Sequence, residues 1–214
     1  MPARSDAALV PYEVPNPFDF DPIDDAVAGV ADATESCPWR HQHFLRFAAE
    51  LKALGRPFPR ALELGSGPGE LSNTVLGEVP GLRLVSLDFS DTVHETSHAR
   101  LDNKDGRMTC VTRNAFDTRW ADGLGRFDAV IAGPAIRWLR GRHRATALYS
   151  RVRPLLLPGG IFLLCNRVAD DDGVHDAASS TFQDDPHEAL DDAGWSSTQT
   201  LRRDHGLLLL KARP

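Results

Sequence analysis

Ala61-Leu62-Glu63-Leu64-Gly65-Ser66-Gly67-Pro68-Gly69-Glu70-Leu71-Ser72 is a short apolar run that ends in three glycines on alternate positions and then turns to helix-forming residues. A run of that length bounded by glycines reads as a buried strand. The glycines let the backbone take positive φ and let a ligand come close to it. The stretch therefore predicts a strand, a tight turn facing a ligand, and the first turn of a helix. A nucleotide-like molecule is the natural occupant.

Working outward, the alternation repeats. Residues 60–64 read as a strand, 70–78 as a helix, and 82–87 as a second strand ending at Asp88, after which Ser90 or Asp91 can cap a helix through Asp102. Strands follow at 107–113 and 127–132, then a helix at 142–156 closed by Pro158-Gly159-Gly160, and a fifth strand at 161–167. The acidic stretch 170–185 reads as a loop and 186–193 as a short helix ending at Gly194. Residues 195–203, the turn Asp204-His205-Gly206 and residues 207–212 read as an antiparallel hairpin. Such alternation calls for a parallel sheet with helices on both faces.

Before the glycine stretch the chain is different. Pro2, Pro11, Pro15, Pro17 and Pro22 bar a regular helix over residues 1–25, which read as an extended arm with Tyr12, Phe18 and Phe20 as anchors. A weak helix at 22–33 is followed by a stronger one at 38–54, where Phe44, Leu45, Phe47, Ala48 and Leu51 make an apolar face; Gly55 and Pro57 stop it. The chain divides into an arm with cap helices at 1–57, part of the substrate site, and a ligand-binding core at 58–214.

With 214 residues, 42% of them hydrophobic, one sizeable core needs no disulfide or structural metal. Cys37, Cys110 and Cys165 are odd in number and include no CxxC pair, which fits a reducing, cytoplasmic setting. No stretch is long and apolar enough to suggest a membrane span. A net charge of -6 gives no footprint for nucleic acid, although Arg137, Arg140, Arg142 and Arg144 cluster locally.

The glycine spacing selects among nucleotides. A dinucleotide fingerprint, GxGxxG, needs a glycine where this chain has Glu70, and the glycines at 65, 67 and 69 follow the acidic Glu63. A pyrophosphate on the helix N-terminus would be repelled by a glutamate at that entry, whereas a cofactor without phosphate tolerates it. No Lys-Ser or Lys-Thr follows, so the phosphate-binding P-loop is excluded as well.

Glu63-Leu64-Gly65-Ser66-Gly67-Pro68-Gly69 resembles motif I, (D/E)xGxGxG, of class I S-adenosylmethionine-dependent methyltransferases. Leu87-Asp88-Phe89-Ser90 resembles the second motif, with Ala99-Arg100 in the following helix, and Arg113-Asn114-Ala115-Phe116-Asp117 is similar to the third. Phe127 to Gly133 resembles strand four, and Leu155-Leu156-Leu157-Pro158-Gly159-Gly160 the LxPGG turn before strand five. The resemblance implies a Rossmann-like α/β fold: a seven-stranded, mostly parallel sheet with helices on both faces, a C-terminal antiparallel hairpin and an N-terminal helical and arm cap. It also implies S-adenosyl-L-methionine as cofactor and S-adenosyl-L-homocysteine as product.

By the same resemblance, Glu63, Gly65, Ser66, Gly67 and Gly69 pass beside the methionine part, Asp88 accepts from the ribose hydroxyls, and Asn114 and the amide of Ala115 meet the adenine edge. Phe89 packs on the adenine face and Gly133 stands at the end of strand four. Other roles compete: Asp88 as a helix cap, Phe89 as core, and Asn114 as a turn residue.

Methyl transfer needs in-line approach, and a base only for a protonated nucleophile. His41 and His43 are the candidate bases, with Arg137 as a third catalytic candidate, and Trp39, Arg40 and Trp138 are candidates for substrate contact. Gly133-Pro134-Ala135-Ile136 departs from the (D/N/S)PP(Y/F) motif of amino-methylating relatives that act on nucleic-acid bases or glutamine. No acid in 133–139 offers a metal ligand, and Asp170, Asp171 and Asp172 read as a solvated loop, so no metal is expected.

The expectation is a methyltransferase acting on O, N or C of a small metabolite, with no nucleic-acid or membrane partner and with biosynthesis as its setting. Its rivals are a non-catalytic cofactor-binding partner protein, a protein or RNA methyltransferase, and a nicotinamide oxidoreductase.

Overall fold

A computed structural model of the chain describes residues 39–101, 106–134, 141–168 and 186–214, with Arg100 and Arg167 described by backbone alone. The arm at 1–25, the helix expected at 22–33, Cys37, Arg137, Trp138, Arg140 and the stretch 170–185 lie outside the described residues.

In chain order the described elements are α1 (Arg40–Ala53), β1 (Arg60–Leu64), α2 (Glu70–Glu78), β2 (Arg83–Asp88), α3 (Asp91–Leu101), β3 (Met108–Thr112) and β4 (Phe127–Ala132), then α4 (Arg142–Val152), β5 (Leu156–Arg167), α5 (Pro186–Asp192), β6 (Ser197–Asp204) and β7 (Leu207–Arg213). The seven strands form one sheet in the order β3-β2-β1-β4-β5-β7-β6. The first five run parallel, and β7 lies antiparallel between β5 and β6. The sheet and hairpin expected from the sequence are therefore present.

Alternation along each strand sorts the core into two layers. Leu62, Leu64, Val85, Leu87, Val130, Phe162 and Leu164 face α4 and α5, where Leu148, Tyr149, Val152, Ala189 and Leu190 meet them together with Trp120 and Phe127. Ala61, Leu84, Ala129, Ile131, Leu163 and Cys165 face the opposite way, under Phe44, Phe47, Ala48 and Leu51 of α1 and Leu71 and Val75 of α2. Parallel strands covered on both faces carry nearly continuous apolar sequence, as β1, β4 and β5 do. The apolar face expected for α1 is thus built into the core of the sheet.

Two boundaries differ from expectation. The helix expected at 142–156 stops at Val152 and passes into a single 3-10 turn, Arg153–Leu155, because Pro154 has no N–H to continue the ladder. β5 then starts at Leu156 rather than at Ile161, with a register shift against β4 between Phe127 and Ala129. The hairpin turns on His205 and Gly206, whose φ values of 50° and 68° suit a two-residue connection between twisted strands.

This topology positions the site. In register, Leu64 lies beside Leu87 of β2 and Ala132 of β4, so the carboxyl ends of the three central strands open at one edge. In open α/β sheets that edge is where ligands bind.

Candidate functional site

Immediately after β1, Gly65, Gly67 and Gly69 all take left-handed backbone, with φ of 64°, 52° and 87°. The amides of Gly65 and Ser66 donate to Leu87 O at 2.8 and 3.3 Å, and the Gly69 amide donates to Ser66 O at 3.2 Å. Two of the glycines have distinct reasons to be there. A Cβ on Gly67 would meet nothing within 4 Å, so its side of the loop faces open space. A Cβ on Gly69 would sit 2.5 Å from Ser97 Oγ and 3.2 Å from Ser97 Cβ, so the missing side chain lets α2 and α3 close on each other.

Asp88 ends β2 beside this loop, 6% exposed. Its Oδ2 accepts from the Gly67 amide at 3.0 Å and its Oδ1 from the Phe89 amide at 2.8 Å. Burial pushes the carboxyl above its usual range, and the two amides pull back toward the charged form. The helix-capping alternative falls to another residue: Ser90 Oγ accepts from the Val93 amide at 3.4 Å at the start of α3. The Asp88 carboxylate is left on the glycine loop.

Glu63 lies beneath, 1% exposed, with Ser72 Oγ of α2 donating to its Oε2. Burial, opposed by Ser72 and reinforced by Asp88, pushes its carboxyl up to about 8. Burial thus favours the protonated form of Glu63, which joins β1 to α2 from below through Ser72. The acid that argues against a pyrophosphate is Glu70, at the start of α2. That carboxylate in turn pairs with Arg40, Nη2 to Oε2 at 3.0 Å.

Beyond β3, Asn114 Oδ1 accepts from the Phe116 amide at 2.9 Å, so the side chain forms the turn while its amide nitrogen remains on an exposed surface. Ala115 is half-buried against the core, Phe89 is half-buried, and Gly133 is buried at the end of β4. Gly65 to Gly69, Asp88, Phe89, Asn114, Ala115 and Gly133 thus follow the carboxyl ends of β1 to β4.

The residues singled out on α1 meet the hairpin and α2. Trp39 lies against His205 with ring centroids 4.5 Å apart, and Arg40 lies 5.6 Å from the Phe44 ring centroid. His43 is wholly buried with Nε2 3.1 Å from Asp204 Oδ1, and Asp204 also pairs with Arg202. Burial lowers the pKa of His43 and outweighs the opposite pull of Asp204. His41, two positions away, is exposed, because residues two apart on a helix face different sides.

Sequence reasoning did not reach Asp204, which the topology alone brings to His43. It also passed over His94 and Ser97, which α3 turns inward. Their signal was polar residues at core spacing: Val93, His94 and Ser97 are all buried. Among the described residues no cluster of three or more metal-ligating side chains is present. No described helix is long and apolar enough to cross a membrane.

Residues 62–162 match a family model described as a methyltransferase domain. A search of curated proteins gave no match. Among solved structures, the chain is similar to an O-methyltransferase family protein from Burkholderia thailandensis, with a TM-score of 0.66, 22% identity, and 80% of this chain and 55% of that one covered. It is similar also to human N-acetylserotonin methyltransferase in complex with SAM, at 0.58 and 17% identity, with 89% and 65% covered. The DhpI–SAH complex gives 0.64 and 20% identity, with 90% and 94% covered. The chain spans 55% and 65% of the length of the first two proteins and nearly all of the third. The match to the methyltransferase-domain model spans just under half of the chain, and the mostly parallel sheet with an antiparallel hairpin is the fold it shares with these solved methyltransferases.

Proposed function

We propose, from the methyltransferase domain over residues 62–162, that the protein transfers a methyl group from S-adenosylmethionine to an oxygen, nitrogen or carbon of a small metabolite. The observation that carries this reading is the pairing of Asp88 with the Gly67 amide at the rim of a glycine loop that is open on its ligand side. Solved relatives of the same fold with SAM and SAH bound support the cofactor.

The cofactor supplies a methyl group on a positively charged sulfur; the chain has to bind, orient and exclude water. Gly65 to Gly69, with Ser66, would lie along the methionine half, and Glu63 would hold the loop from below. Asp88 would accept from the ribose hydroxyls, Phe89 would cover the adenine face, and Asn114 with the Ala115 amide would meet its edge. Gly133 would border the cofactor at the end of β4.

Of the two histidines we assign His43 as base, because burial keeps the resting ring neutral and the Asp204 carboxylate, 3.1 Å from Nε2, favours the protonated ring that would form. His41 and Arg137 are the secondary candidates. Trp39, Arg40 and Trp138, with the rest of residues 1–57 as cover, would form the acceptor side, where a substrate carboxylate would compete with Glu70 for Arg40. A small metabolite fits the net charge of -6 better than nucleic acid does, and a cytoplasmic biosynthetic setting fits the same reading.

Thermal unfolding with added ligand tests the proposal. At one hundred times its Kd, S-adenosylhomocysteine should stabilise the protein by about 2.7 kcal/mol, a rise in Tm of roughly 5–10 °C, and NAD should give none. A larger response to NAD overturns it. Release of S-adenosylhomocysteine from S-adenosylmethionine with a panel of phenols, amines and carboxylates separates an enzyme from a binding protein.

A further inference from the structure

α1 and α2 pack against each other, and their opening residues meet: Arg40, first in α1, pairs with Glu70, first in α2 and next to Gly69 of the glycine loop. The contact uses one arm of the guanidinium, Nη2 to Oε2 at 3.0 Å, between side chains 20% and 21% exposed. Nε of Arg40, another donor of the same planar fork, is buried and has no hydrogen-bond partner among the described residues. Nε1 of Trp39, one residue earlier, is in the same state. The Phe44 ring lies against the guanidinium and the His205 ring against Trp39, so packing holds both donors in place.

Both unfilled atoms are N–H groups that can only donate, and leaving such groups unpaired in the interior is costly. They call for an oxygen acceptor, and beside a guanidinium the favoured acceptor is an anion. A carboxylate matches the guanidinium best when it takes two parallel N–H groups at once, whereas Glu70 takes one. Glu70 thus occupies the place of a carboxylate without filling it. A ligand carboxylate that took Nε and Nη2 together would displace it, and Glu70, partly exposed already, would turn to water.

We propose that Arg40 and Trp39 form a carboxylate-binding subsite at the end of the glycine loop, in which Glu70 stands in for the ligand. The inference rests on the S-adenosylmethionine reading of that loop and deepens it, since it makes one ligand of the cleft a carboxylic acid. Two ligands of that reading can carry the group: the methionine half of the cofactor and the methyl acceptor.

Titration calorimetry with S-adenosylhomocysteine and with 5′-methylthioadenosine, which has the adenosine and the sulfur but no amino-acid half, tests the first source. Arg40→Gln should weaken S-adenosylhomocysteine about tenfold and leave methylthioadenosine unchanged. Glu70→Gln should tighten S-adenosylhomocysteine about threefold, because no carboxylate then has to be displaced, and the gain should vanish in the Arg40→Gln background. The second source is read from the Arg40 Nε–H and Trp39 Nε1–H signals in nitrogen-15 spectra of the S-adenosylhomocysteine complex, titrated with benzoate and lactate against benzamide and lactamide. The acids should shift both signals and the amides neither. Circular dichroism and the melting temperature establish that each variant is folded. Should Arg40→Gln fail to fold, Arg40→Lys, which keeps the charge and loses the fork, carries the same cycle.

Loss of S-adenosylhomocysteine affinity in Arg40→Gln without a gain in Glu70→Gln makes the pair a clamp between two helices and overturns the proposal. So does unchanged affinity in Arg40→Gln together with N–H signals that ignore the acids. Failure of wild type to bind either adenosine compound is a different result: it removes the cofactor reading itself and the inference with it.

Discussion

Replacing Gly69 with alanine should be markedly more damaging to stability than the same change at Gly67, although both glycines sit in one loop with positive φ. At Gly67, with φ of 52° and open space around the new Cβ, the cost is the left-handed backbone alone, about 1–2 kcal/mol for a residue with a side chain. At Gly69, with φ of 87°, the same penalty applies, and the new Cβ also lands 2.5 Å from Ser97 Oγ and 3.2 Å from its Cβ. Ser97 is fully buried, so its hydroxyl has little room to swing aside. Overpacking of that kind adds about 1–3 kcal/mol, which brings Gly69→Ala to about 2–5 kcal/mol. Urea unfolding at constant pH reads both values. Adding Ser97→Ala to Gly69→Ala removes the 2.5 Å contact and should restore about 1 kcal/mol or more. Function should separate in the opposite sense, since a methyl group on Gly67 projects into the cleft and obstructs the cofactor more than it weakens the fold. Equal losses for the two alanines, or no recovery with Ser97→Ala, refute the assignment of Gly69 to helix packing and Gly67 to the ligand.

Asp88→Ala should weaken S-adenosylhomocysteine binding by about 2 kcal/mol or more, the size of a lost charge-assisted pair; unchanged calorimetry refutes the ribose role. Glu63 binds its proton more tightly folded, at about 8, than unfolded at 4.5, so stability is greatest at low pH and falls as pH rises between those values. The slope contributed is at most about 1.4 kcal/mol per pH unit, and Glu63→Gln should flatten it in urea melts taken from pH 5 to 8. His43→Gln should lower kcat by about 10²- to 10⁴-fold while leaving S-adenosylhomocysteine affinity unchanged; an unchanged kcat reduces His43 to a clamp between α1 and the hairpin.

What the sequence displays well is whatever is local. Strand period, glycine spacing and the acid at the end of β2 occupy contiguous residues, so the sheet, the loop and Asp88 could all be read before any coordinates. Asn114 was legible only as a pair of roles: its Oδ1 makes the turn, and its contact with the adenine edge is the part proposed. What escaped depends on burial and on distant neighbours. Glu63 reads as an anion in the sequence, because no nearby residue reveals that Ser72 and the sheet will enclose it, and burial in the fold pushes its carboxyl up to about 8. The pairing of Glu70 with Arg40, and of His43 with Asp204, joins elements that only packing brings together. Helix α3 hid His94 for a related reason: it carries polar residues on its inward side, so its pattern gives little sign of which side is buried.

The place of β7 has a consequence for how the molecule comes into being. β7 is the last strand of the sheet to be synthesised, yet it lies inside the sheet, between β5 and β6. β6 therefore leaves the ribosome with no strand to pair with. α1, which precedes every strand, packs against Leu207 and Leu209 and against Lys211, whose Nζ donates to Glu50 Oε2 at 3.0 Å. Emerging ahead of the described strands, α1 must wait for the closing strand before the last part of its apolar face is covered. Closure of such sequence-distant contacts is slow, and exposed faces in the interval invite association. A stalled or shortened chain that lacks residues 207–213 should thus be sticky rather than merely less active, and during synthesis the α1 face is the surface a chaperone would hold.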